Sequence, residues 1–138
     1  MSRIFGRLFA HPPAAPDGLT QTQREAIIDL LNFCMCADDK LRPIEDRFIT
    51  HSVARLAWEG AQNFESFSAA SIERAGAALK SFATRAGYLA GISERLASTE
   101  VKSEAIALCQ KLFHVDGEFP DAERVVYREI RHVFGWPV

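Results

Sequence analysis

Long apolar runs are missing from this chain of 138 residues. None approaches the ~18 residues needed to cross a bilayer. The opening, Met1 to Ala10, carries Arg3 and Arg7 but no apolar stretch long enough for a secretory signal. Cysteine is sparse and odd in number: Cys34, Cys36 and Cys109 make no disulfide framework. A reducing compartment suits them better, and the sequence reads as cytoplasmic. An excess of one charge is also missing. Sixteen basic residues against eighteen acidic give −2, which argues against nucleic acid or an anionic membrane as the main partner. There is no phosphate-binding glycine loop, no nucleophile elbow and no zinc-protease helix motif. The sequence therefore reads as a non-catalytic protein.

What is present is alanine, with 20 residues, far more than valine or isoleucine. That balance favours helix over sheet, and no stretch alternates with period two between turn residues. Hydrophobic residues at 48% and charged residues at 25% are globular proportions. Two regions follow: an amphipathic segment and proline-rich linker over 1–18, and a helical domain over 19–138. Pro12, Pro13 and Pro16 keep the linker out of a helix. Ahead of it, Ile4, Phe5, Leu8 and Phe9 share one face of a short segment, 2–10. That face suits docking onto the bundle or a partner, or peripheral contact with a membrane surface.

Apolar spacing predicts the helices. One starts near Thr20 to Thr22, where Thr20-x-x-Gln23 and Thr22-x-x-Glu25 both fit a capping box. Its inner positions are Ile27, Ile28, Leu30, Leu31, Cys34 and Met35. The next runs from Pro43 to about Trp58, followed by a connection over 60–67. Residues 68–97 read as one long helix or two, with Ile72, Ala75, Leu79, Phe82, Ala86, Leu89 and Leu96 inward. Ala83, Gly87, Ala90 and Gly91 offer a small-residue strip for close helix approach. Further helices cover about 100–114 and 121–134, the last ended by Gly135 and Pro137. The fold class is all-α, a bundle of about five to seven helices.

The halves of the chain are alike. A shift of 78 residues lays Leu30 on Leu108, Asp38 on Asp116 and Glu45 on Glu123. Each copy reads as apolar helix, Asp, short polar turn, Glu, apolar helix, which predicts two pseudo-symmetric αα-hairpins. Asp38 and Asp116 close one helix, where the dipole disfavours a carboxylate; Glu45 and Glu123 open the next, where it favours one. Carboxylates brought together across a turn need a proton or a cation between them, and a hard divalent ion takes oxygen ligands. The other reading is structural: each Glu caps its helix and each Asp binds turn amides. In the second copy Pro120 has no N–H for Glu123 to accept. The EF-hand pattern is excluded, since counting from Asp116 puts Arg124 and Tyr127 at ligand positions nine and twelve.

The stretches Cys36-Ala37-Asp38-Asp39-Lys40-Leu41-Arg42-Pro43-Ile44-Glu45 and His114-Val115-Asp116-Gly117-Glu118-Phe119-Pro120-Asp121-Ala122-Glu123 resemble the tellurite-resistance TerB family, which also includes the N-terminal region of some membrane-linked J-domain co-chaperones. The resemblance spans about residues 20–138. It implies a TerB-like all-helical fold with two pseudo-symmetric hairpins. It also implies an acidic cluster for a divalent cation (calcium, magnesium or manganese) formed by Asp38, Glu45, Asp116 and Glu123. Stress-response or membrane-associated interaction with a protein partner is the implied role, with no catalysis. The first copy departs from the family pattern: Asp39 stands where the motif has glycine, and Lys40 and Arg42 reduce segment 38–45 to a formal −1, against −4 for 116–123.

Other ligand sets are weaker. Cys34 and Cys36 lie about 200° apart on a helix and cannot share a metal ion. Cys34 and Cys109 fit core positions. His114 reads as a surface or capping group.

Overall fold

A computed structural model describes residues 18–37, 58, 63–114 and 121–136. They form five helices: α1 (Gln21–Cys36), α2 (Phe64–Ala78), α3 (Phe82–Leu96), α4 (Thr99–Phe113) and α5 (Asp121–Val133). No strand occurs among the described residues. The all-helical fold class is as predicted. The expected helix over 43–58 lies outside the described residues, apart from Trp58, as do segment 2–10, linker residues 11–17 and Pro137.

The first helix is the axis of the bundle. Thr20 caps it: its hydroxyl accepts from the Gln23 amide at 3.1 Å, and its own N–H donates to Gln23 Oε1 at 2.9 Å. Of the two boxes legible in the sequence, this is the one that opens α1. The Gln23 side chain also donates to the Leu96 carbonyl at 2.9 Å, tying the start of α1 to the end of α3. The six inner positions expected from spacing are all buried, and so are Arg24, Ala26, Asp29, Asn32 and Phe33. The helix is enclosed on every side, packed by α2, α3 and α4 and touched by α5. A one-sided stripe describes a surface helix; here the polar residues of the other side are buried as well.

The second helix begins at Phe64, inside the stretch expected to be a connection. Asn63 is its cap, its side-chain oxygen accepting from the Ser66 amide at 2.8 Å. The segment 68–97 is two helices. Ser81, in extended backbone, ends the run and caps α3 with Thr84, whose hydroxyl also reaches the Ala78 carbonyl at 2.7 Å. This break resets the helical phase. Phe82, expected on the inner face, is 67% exposed, and Ile92 is buried instead. The small-residue strip is corrected too: Ala83, Gly87, Ala90 and Gly91 lie on the exposed side of α3. A Cβ added at Gly87 or Gly91 would meet nothing within 4 Å, so no helix among the described residues crosses there.

Between α3 and α4 the chain turns through Ala97 at φ 71°, ψ −54°. The Ser98 N–H donates to the Leu96 carbonyl at 2.8 Å across it, the closure of a γ-turn. Ser98 then caps α4, accepting from the Val101 amide at 3.1 Å. The last helix ends as predicted at Gly135, φ 78°. Trp136 N–H reaches the Arg131 carbonyl at 2.7 Å and Gly135 N–H that of His132 at 3.1 Å, a Schellman closure.

Candidate functional site

Of the four carboxylates in the repeated acidic turns, Asp38, Glu45 and Asp116 lie outside the described residues. Glu123 sits in the first turn of α5 and is 1% exposed. Three, seven and eleven residues on, Val126, Ile130 and Phe134 are also buried, so its side chain lies on the inward face of the helix. Tyr127, one turn beyond Glu123, packs edge-on against Phe113 with ring centroids 5.8 Å apart. The carboxylate thus stands at the junction of α4 and α5. His114, the C-cap of α4, is exposed. Among the described residues, no group of three or more His, Cys, Asp or Glu is disposed to hold a metal ion. Cys34 and Cys109 are buried in the core, as their spacing predicts, and Cys36 is half-buried.

An ionic cluster that no sequence motif announces lies across α1, α2 and α3. Asp29 is 2% exposed. One carboxylate oxygen accepts from Arg74 of α2 at 2.8 Å, and the other from Arg95 of α3 at 2.8 Å. Burial opposes the charge on Arg74, but its hydrogen bond to Asp29 and that carboxylate's charge outweigh it, so the guanidinium titrates above its ordinary value. Beside them, burial and the Asp29 charge push the Tyr88 phenol up to about 12. Arg74 also lies over the Phe67 ring at 5.2 Å, and Tyr88 packs on Phe33 at 5.5 Å. With both oxygens held by guanidinium groups, Asp29 is a pin between helices rather than a base. One sequence signal existed: a lone acid inside the run Ile27-Ile28-Asp29-Leu30-Leu31.

The second feature missed in the sequence is a half-open trough of about 760 Å³ between α3 and α5. Its apolar lining is Phe82 and Ala86 from one helix and Val125 and Val133 from the other. Val125 is 46% exposed, and it and Phe82 are the large apolar side chains left open to solvent among the described residues. Arg85 joins the two helices through Glu129, Nε to Oε1 at 2.8 Å and Nη2 to Oε2 at 3.0 Å. This two-pronged bond is the main reason the Arg85 guanidinium titrates above its ordinary value. Arg128 and His132, one turn apart, border the trough and are exposed.

No helix among the described residues is long and apolar enough to cross a membrane. No protein-family model, no curated protein and no solved structure matches this chain.

Proposed function

We propose that this chain is a non-catalytic, TerB-like interaction module that binds a divalent cation (calcium, magnesium or manganese) at its acidic inter-helix turns. Its role is in stress-response or membrane-associated protein interactions, and its two acidic turns belong to pseudo-symmetric hairpins. The observation that carries the reading is the burial of Glu123. A glutamate that only favours a helix dipole stays in solvent, where it loses no hydration. Glu123 instead faces inward at the end of a segment with a formal charge of −4. Pro120, three residues before Glu123 in the sequence, has no N–H for a capping-box glutamate to accept.

A thermal-shift titration of the full chain with calcium, magnesium, manganese and zinc tests this. Binding to the folded state alone adds about 2.7 kcal/mol at a hundredfold excess over Kd. For a domain of this size that raises Tm by about 10 °C. Chelator should reverse the rise. Asp116→Asn should remove more of it than Asp38→Asn, because the second turn holds the denser charge. Equal losses would point to one shared four-carboxylate site. No rise with any of the ions would leave the acidic turns as helix caps in a structural adaptor.

A further inference from the structure

We propose that the trough between α3 and α5 is the docking site for an acidic amphipathic helix of a partner protein, with its apolar side chains on Phe82, Ala86, Val125 and Val133 and its carboxylates on Arg128 and His132. The proposal rests on reading the chain as an interaction module, but not on its cation.

Dimensions argue for a helix. Val125 and Val133 are eight residues apart on α5, about 12 Å along its axis. A ligand helix presenting side chains at i, i+3 or i+4, and i+7 spans about the same length. The trough is open along one side and Phe82 stands at its edge, 67% exposed. A small ligand would leave that ring in water, whereas a helix lying along α5 covers it.

Charge selects the kind of helix. Arg85 and Glu129 cancel each other in their two-pronged bond. Arg128 and His132 make no hydrogen bond or ion pair to any described residue. Within a chain of net charge −2, these are the two basic side chains that border the trough. The apolar lining therefore has a basic border with unused donors, and its complement carries carboxylates beside its apolar stripe. Two other occupants have the wrong sign. A second copy meeting this face would bring a basic border to a basic border, and the chain's own segment 2–10 brings Arg3 and Arg7. An anionic bilayer has the right sign but a flat surface, which meets the ridges of two helices and leaves the trough between them unfilled.

The test is fluorescence anisotropy with the full chain in chelator. The probe is a capped peptide of about 18 residues, long enough to hold helix. It carries leucine and phenylalanine at the i, i+4, i+7 positions and glutamates beside them; a control peptide has lysine for each glutamate. The acidic peptide should bind about tenfold more tightly than the basic one. Phe82→Ala and Val125→Ser, both exposed positions that leave the melting temperature in place, should weaken the acidic peptide about fivefold or more. Arg128→Glu should abolish or reverse the preference between peptides. The proposal is overturned by no binding up to about 1 mM, by equal binding of the two peptides, or by an Arg128→Glu protein that keeps the preference. It is also overturned if Val125→Ser dissolves a dimer seen by light scattering, or if Phe5→Asp with Phe9→Asp uncovers the site. Sedimentation with phosphatidylglycerol vesicles, lost in Phe82→Ala while neither peptide binds, would assign the face to a membrane instead. Because the assay runs in chelator, a failed cation titration and a failed peptide titration remain separate results.

Discussion

Ala97 holds the turn between α3 and α4 in a conformation that its own Cβ opposes. Its φ of 71° with negative ψ is a region that costs an L-residue about 1–3 kcal/mol. The side chain is exposed, so little packing is lost with it. Ala97→Gly should therefore stabilise the protein by about 1 kcal/mol, the relieved strain less the extra freedom glycine gains when unfolded. A calorimetric Tm higher by about 3–5 °C is the expected reading; a lower Tm would place the strain elsewhere. Asp29 is the opposite case, a buried charge held by two partners. Asp29→Asn removes the charge between Arg74 and Arg95. Both guanidinium groups reach solvent and rehydrate in part, so the expected cost is about 2–3 kcal/mol by urea denaturation, below the full cost of orphaning a buried charge. Tyr88 adds a pH signature. Its folded pKa of about 12 lies above the ordinary 10, so folding favours the neutral phenol. That contribution is complete below pH 10 and is lost as pH rises through 12. Tyr88→Phe should flatten the fall in stability across that window. No local motif announces this cluster, because Arg74 and Arg95 lie 45 and 66 positions from Asp29 along the chain.

At the scale of elements, sequence legibility followed the chemistry of the caps. The start of α1 was readable because Thr20 and Gln23 are the residue types that a capping box selects. The break before α3 was not, because Thr84 replaces the usual Glu or Gln and its hydroxyl serves both the Ser81 amide and the Ala78 carbonyl. A continuous spacing drawn through that break put Phe82 on the wrong face and hid one wall of the trough. The other wall comes from α5, some 40 residues on, so no local pattern announces their meeting. Thr84→Val removes the hydroxyl but keeps the shape. It should cost about 1–2 kcal/mol through the lost cap and the freed Ala78 carbonyl. Helical content at low temperature should stay unchanged, with the loss appearing as a lower urea midpoint.

Across the whole molecule, composition and period were enough for an all-helical bundle because helix formation writes its period into every apolar face. They were not enough for position within the bundle. The stripe on α1 is that of a surface helix, yet Asp29 and Asn32 on its other side are satisfied by Arg74, Arg95 and Ser68, which lets the entire helix sink inward. The acidic turns were legible as a repeat; of their four carboxylates the structure describes Glu123, and its inward placement was not readable from charge alone. Core periodicity did place two of the three cysteines. In native protein, one thiol, Cys36, should react with a thiol reagent within minutes, and Cys34 and Cys109 should react only as the chain unfolds. Two fast thiols would mean that the α1 core opens locally.

The enclosure of α1 has a consequence for local opening. From Ala26 to Met35 every residue is buried and three helices must be displaced to reach the amides, so these exchange hydrogen only when the whole chain unfolds. The last helix rests on α3 and α4 and only grazes α1, so it can lift while the rest stays folded. Deuterium uptake should therefore divide the protein into a slow centre and a faster outer helix. A ligand seated between α3 and α5 should slow uptake along α5 while leaving α1 at the rate set by global unfolding. A ligand that stabilises the whole fold should slow both.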